Sequence, residues 1–326
     1  MTSASASTVE TVLRDELARA DRALSGVAPV LGHMLASSGH ALVSDAIVAR
    51  VRGMLGDLAS QLLDRQQRAG VPEHEYDEAA PGIDPVDKLA DALAEDALVL
   101  RHLHAIAMEG HVTQRLESRS AIDPVLTPVW QELIASDNGS IGESAMQALA
   151  AQSRFGQAQR RMQYPLSELP PDMLERVLRI WVRMTAAEQE PSVMIALHSL
   201  KSEYDEAATR IGQLNQMISK MQGTAIAALE LEHSGLALFA SALSHLTGQS
   251  RDRAILACHS RQAARLALSL RAAGQDEAAI ERQFMILEPA AMVPPSIADL
   301  SVEAARTLLQ NSQFDATVPA LNEATG

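Results

Sequence analysis

Eight residues, Leu197, Leu200, Tyr204, Ala207, Ile211, Leu214, Ile218 and Met221, follow one another at spacings of 3, 4, 3, 4, 3, 4 and 3. Alternating threes and fours keep apolar side chains on one narrow seam of a helix. Such a seam demands a partner lying nearly parallel or antiparallel at a shallow angle. The pattern predicts one long helix near 192–222, opened by Pro191 and interrupted by Gly223, packed in a hairpin, a bundle or a homodimer. Helical spacing prevails almost everywhere else, and no run of alternating β-branched and aromatic residues sits between hairpin turns. The expected fold class is all-α, one or more bundles with roughly 9–11 helices in total.

Local signals divide the chain further. Ser7 with Glu10 three residues on makes a capping box ahead of the stripe Val9, Val12, Leu13, Leu17 and Leu24. Ser44 should cap a long helix whose apolar face reads Ile47, Val51, Met54, Leu55, Leu58 and Leu62. The string Ile-Asp-Pro-Val occurs at Ile83 and again at Ile122. Asp followed by Pro suits a helix start, because the carboxylate accepts first-turn amides and proline loses no donor there. Other starts are expected at Ser140, Pro171 and Asp276, with one helix running from Asp252 to Ala273. Gly70 to Pro85 reads as an acidic loop and Tyr164 to Pro171 as a connector. We therefore expect an N-terminal helical region over 1–165, a helical bundle over 166–312 and a mobile tail over 313–326.

Charge narrows the function classes. The net charge of −14 and pI near 5.1 repel phosphate backbones, so nucleic acid is not an expected partner. From Glu73 to Asp96 nine carboxylates face Lys88 alone, either as a solvated acidic stretch or as a docking surface for a basic partner. Only Lys88, Lys201 and Lys220 are lysines; the Arg- and Ala-rich composition suits GC-rich bacterial coding. Nine aromatics leave Leu, Ala, Ile, Val and Met to build the core and give no stacking platform for bases or sugars. The N-terminal segment has no apolar signal-peptide core, and one cysteine forms no internal disulfide. The most apolar window, Ala225–Leu243, carries Glu230, Glu232 and His233, so no membrane insertion is expected and the location is read as cytoplasmic.

Few residues suggest chemistry. His104 and His111 fall on the stripe Val86, Leu89, Leu93, Ala97, Leu100, His104, Ala107, His111, about 10 Å apart along one helix and too far to share a metal. His102 lines up instead with Glu95 and Glu109. These histidines are expected in or near the core, bonded to carbonyls or carboxylates. Glu230-Leu231-Glu232-His233 has the Glu-x-x-His spacing of di-metal bundles, but in one copy where two are needed. Cys258 should be a small packed residue in mid-helix. Phosphate-binding loops, dinucleotide fingerprints, nucleophile elbows and calcium loops are missing, so neither cofactor nor metal is expected.

Leu197-His198-Ser199-Leu200-Lys201-Ser202 resembles the phosphoacceptor segment of histidine-phosphotransfer modules, His-x-Leu-Lys-Gly, over about six residues. The resemblance implies His198 as phosphoacceptor and Lys201, one turn on, as its electrostatic support. Ser202 replaces the family's glycine, and Glu203, Tyr204 and Asp205 add bulk and negative charge. Two functions follow. The first is a non-enzymatic, all-helical interaction, regulatory or scaffold protein whose partner is another protein or a second copy held through the Leu197–Met221 seam. The alternative is a signalling relay through His198. A third class, a binder of an apolar ligand in a helical cavity, is suggested by the Met- and Ala-rich core.

Overall fold

The computed structural model describes residues 2–27, 29–31, 44–69, 82–185, 191–259, 262–288, 292–294 and 297–311. Most of the acidic 70–85 loop and the 313–326 tail lie outside them. All regular structure among the described residues is helical, in fourteen α-helices and four short 3-10 segments. In chain order the helices are α1 (Thr2–Ser25), α2 (Asp45–Arg68), α3 (Ile83–Ala94), α4 (Ala97–Ser120), α5 (Pro128–Ile134), α6 (Gly139–Arg160) and α7 (Pro171–Thr185). They continue as α8 (Pro191–Glu203), α9 (Arg210–Met221), α10 (Leu231–Thr247), α11 (Arg251–Ala257), α12 (Ala263–Ala272), α13 (Glu277–Leu287) and α14 (Val302–Gln310). The all-α class stands, built from more and shorter helices than the periodicity suggests.

The centre is α4. Every residue from His102 to Met108 and on to Glu109 is buried, because α2, α3, α7, α10, α11 and α13 pack around this helix. A helix enclosed on all sides must give each polar group on it a partner or a cavity. The buried apolar residues form one cluster from Leu13 to Leu309. Helices from either side of residue 165 meet within it, α2 on α8, α6 on α9 and α4 on α11. Both tryptophans, Trp130 and Trp181, are buried there.

The seam from Leu197 to Met221 is not one helix. It ends at Glu203, and α9 begins only at Arg210 after a 3-10 turn over Glu206–Ala208. Asp205 accepts the Ala207 amide at 2.9 Å, and the Thr209 hydroxyl accepts the Gly212 amide at 2.9 Å, so both side chains compete with the helical ladder. Gly212 lets the turn fold back, since an added Cβ would run into the Glu206 carbonyl. The two halves then serve different neighbours: α8 packs on α2 and α7, and α9 packs on α6 and α10. Leu200, Leu214 and Ile218 are buried inside the chain while Ala207 is exposed, leaving no continuous seam for a second copy.

Two further expected helices are broken. The stripe from Val86 to His111 divides at Asp96, whose Oδ1 caps α4 through Leu98 and Val99 while Oδ2 accepts Arg176 at 2.8 Å. The helix expected over Asp252–Ala273 stops at Ala257 and resumes at Ala263, so Cys258 sits at a helix end rather than in mid-helix. The Ile-Asp-Pro-Val strings are displaced as well. Gly82, not Asp84, occupies the cap position of α3. Asp123 accepts the Val125 and Leu126 amides at 2.8 Å each, yet forms a turn, and α5 starts at Pro128. Ser7 lies inside α1, which extends back to Thr2 through the strong helix formers Ala4 and Ala6.

Ser44 caps α2 as its sequence predicts, with Ile47, Val51, Met54, Leu55, Leu58 and Leu62 buried beneath it. Among the described residues no single helix is long and apolar enough to cross a membrane. The apolar stretch 223–247 bends by 115° near Glu230, and residues 234–243 are buried in the core. Gly235 sits at a kink in α10 with φ +71° and ψ 166°, a region open to glycine, and a Cβ there would lie 2.8 Å from Thr127 Cγ2.

Candidate functional site

His198 and Lys201 lie on the outer surface of α8, whose inner face buries Val193, Ala196 and Leu200. The His198 ring is exposed, as an edge position beside Leu197 requires. Lys201 Nζ is 3.0 Å from Glu175 on α7, so its charge is shared with the neighbouring helix. Glu203 closes the other end of this face, accepting from Ser199 Oγ and pairing with Arg65 at 2.9 Å. The face therefore offers a reachable imidazole among balanced surface ion pairs. The same helix exposes Met194 by 60% and Ile195 by 50%, and Met184, at the end of α7, is 42% exposed.

One closely bonded assembly of ionisable groups is buried. Glu109 of α4 takes two guanidiniums at once: Arg210 donates to both its oxygens at 2.7 and 2.9 Å, and Arg251 does so at 2.7 and 2.8 Å. Arg210 also donates to Gln152 at 3.1 Å and lies 3.5 Å above the Phe155 ring, and Arg251 donates to Ser241 at 3.1 Å. Three helices, α4, α9 and α11, meet at this one carboxylate, and α6 and α10 join the cluster through the two arginines. Burial alone would push the Glu109 carboxyl up; the two guanidiniums reverse that and hold it well below the usual carboxylate range. The cluster carries two cations to one anion, with every Glu109 oxygen engaged twice. It can cross-link helices but has no free atom to offer a substrate.

A second chain of bonds runs beside it. His102 Nδ1 is 2.9 Å from Asp252 Oδ2, and Nε2 is 2.9 Å from the Tyr164 hydroxyl, which in turn lies 3.1 Å from the Glu168 carbonyl. Asp252 accepts, so Nδ1 bears a proton. Nε2 then either accepts from Tyr164 or donates to it, the hydroxyl in the second case donating onward to Glu168. Burial pushes the Tyr164 phenol well above its ordinary range, which keeps it a neutral hydrogen-bonding group. The expectation that His102 is a bonded core histidine agrees with these contacts. Glu95, expected on the same line, is exposed.

The remaining motifs disperse. Glu230 accepts from Arg282 at 3.1 Å and Gln283 at 3.0 Å, while His233 pairs with Glu132 at 3.0 Å, so the Glu-x-x-His residues point to different partners. Burial pushes the Cys258 thiol up to about 12, far from a reactive thiolate. Among the described residues no three His, Cys, Asp or Glu side chains are gathered to hold a metal. Sequence reading missed Arg210 and Arg251. Their only signal is position, each at the first turn of a helix right after a hydroxyl residue, Thr209 or Ser250. Against protein-family models, curated proteins and solved structures alike, the chain gives no match.

Proposed function

We propose that the chain is a non-enzymatic helical protein of the cytoplasm that acts as a regulator or scaffold by docking another protein on the outer face of α7 and α8. The supporting observation is the exposed pair Met194 and Ile195 one turn before His198 on α8, with Met184 exposed at the end of α7 and the main ionisable cluster buried and saturated. Large flexible apolar side chains at a surface suit adaptable protein contacts. A photo-crosslinking amino acid at position 195, introduced into the full chain in its native cells, should capture one dominant protein. Met194→Asp together with Ile195→Asp should reduce that capture about tenfold or more, corresponding to about 1.4 kcal/mol or more of binding. Because both side chains are exposed, thermal unfolding should move by less than about 1 kcal/mol equivalent. Equal capture by wild type and variant would overturn the reading.

The exposure of His198 supports a second reading, a relay in which a partner delivers a phosphoryl group to the imidazole. A phosphotransfer assay with labelled donors beside His198→Ala separates the two. Acid-labile label on the wild type and none on the variant would establish the relay. Unchanged partner capture by His198→Ala without label on either form leaves docking as the function.

A further inference from the structure

Between α1, the start of α2, α4 and the α11–α12 junction lies a cavity of about 280 Å³. Three imidazoles line it, His104 and His111 from α4 and His259 from the junction. His104 is 8% exposed and makes no hydrogen bond to a described residue. The α1 side of the wall, Ala23, Leu24 and Val27, is wholly apolar. An imidazolium beneath such a cover would lose water and gain no counter-charge from it.

The charged groups that act on these rings belong to the other walls. Burial, followed by His259, pushes His104 down to about 4, and Asp252 of α11 opposes them. Asp252 is already 2.9 Å from His102. His111 is pushed down by burial, by Arg115 of its own helix and by Arg50 of α2, against Glu288, which pairs with Arg115. Both rings resist a proton in the closed fold, so a proton taken up by either favours any state in which water reaches it.

The apolar cover is also the wall most easily lifted. α1 packs on α12 through one stripe, Leu13, Leu17, Ala20 and Leu24, and leaves its other face to solvent. Two polar ties add to that stripe: Asp21 pairs with Arg265, and the Ala20 carbonyl accepts from Gln262 Nε2 at 3.0 Å. A helix docked by one face can open as a unit while the remaining core stands.

We propose that α1 is an acid-released strap: protonation of His104, with His111 and His259 beside it, opens the cavity by lifting α1 from α12 while the other helices stay packed, uncovering the stripe Leu13, Leu17 and Leu24. The device is separate from the α7–α8 face, and its test does not depend on the docking reading.

Hydrogen exchange read by mass spectrometry on the full chain from pH 7 to 4, corrected for intrinsic exchange, measures this opening. Residues 236–243 of α10, buried in the core, are the internal reference. Residues 13–24 are expected to be about a hundredfold or more less protected than the reference at every pH. Their protection should also fall about tenfold per pH unit between 6.5 and 4, the slope of one proton. His104→Gln, neutral throughout, should remove that slope; should the variant fail to fold, the wild-type contrast between α1 and α10 and its pH dependence decide. Equal protection of α1 and α10 would make the opening global unfolding and overturn the strap. So would α1 protection independent of pH, or a slope that survives in His104→Gln.

Discussion

Glu109→Gln will destabilise the fold by about 3–5 kcal/mol, the largest single-residue effect expected in this protein. The substitution keeps the shape of the side chain and removes its charge, leaving the Arg210 and Arg251 guanidiniums buried with a neutral amide in place of a carboxylate. Against a total stability of about 5–15 kcal/mol this is a large fraction, and the urea midpoint should fall accordingly. A companion variant, Glu109→Leu with Arg210→Met and Arg251→Leu, should regain most of the loss, because three apolar side chains of similar volume avoid the desolvation penalty altogether. The acid limb carries a further signature. The Glu109 carboxyl titrates lower in the folded chain than in the unfolded one, so its contribution is complete above the unfolded value of about 4.5 and is lost as pH falls through the folded one. Glu109→Gln should therefore flatten the loss of stability below pH 4.5. A wild-type urea midpoint for Glu109→Gln would show that the cluster is not the brace its geometry implies.

The second large effect is acid sensitivity at a higher pH, and it belongs to His104. Its folded value is about 4 against 6.5 for the free imidazole. Between these values the unfolded chain takes up a proton that the folded chain refuses, so acidification favours unfolding. Stability should be independent of this group above pH 6.5, fall with a slope of one proton between 6.5 and 4, and lose about 3 kcal/mol in all. His104→Gln, neutral at every pH, should remove that slope. Urea unfolding at half-unit pH intervals measures it directly, and a wild-type slope that survives in His104→Gln would place the titration elsewhere. Glu109 acts below this window, so the two effects separate along the pH axis.

How far the fold was legible depended on whether a residue's role is local. The α2 stripe with its Ser44 cap, the start of α7 at Pro171 and the Asp276 cap of α13 follow from contacts within a few positions, and all are found where spacing places them. The seam failed for an instructive reason. Its apolar period persists through Tyr204 and Ala207, but Asp205, Thr209 and Gly212 form a turn whose stability comes partly from outside it. The Arg210 amide donates to Glu168 at 2.7 Å and the Tyr204 hydroxyl to the Leu169 carbonyl at 2.8 Å. Period alone could not register bonds to residues more than 30 positions away. The candidate site was less legible still: His198 is exposed at a helix edge as expected, but Lys201 serves Glu175 on another helix.

The sequence by itself determined the all-α class, several helix starts and apolar faces such as that of α2, because the helical period and capping side chains act over three or four residues. Tertiary structure alone decided which polar residues meet. Glu109, Arg210 and Arg251 are separated by 101 and 142 positions from Glu109 outward, and only the packing of α4, α9 and α11 into one core brings them to one point. Packing likewise leaves His104, His111 and His259 lining a common cavity. Charge and hydrogen-bond complementarity between distant residues has no period, and a buried ion cluster exists only once the surrounding helices have excluded water.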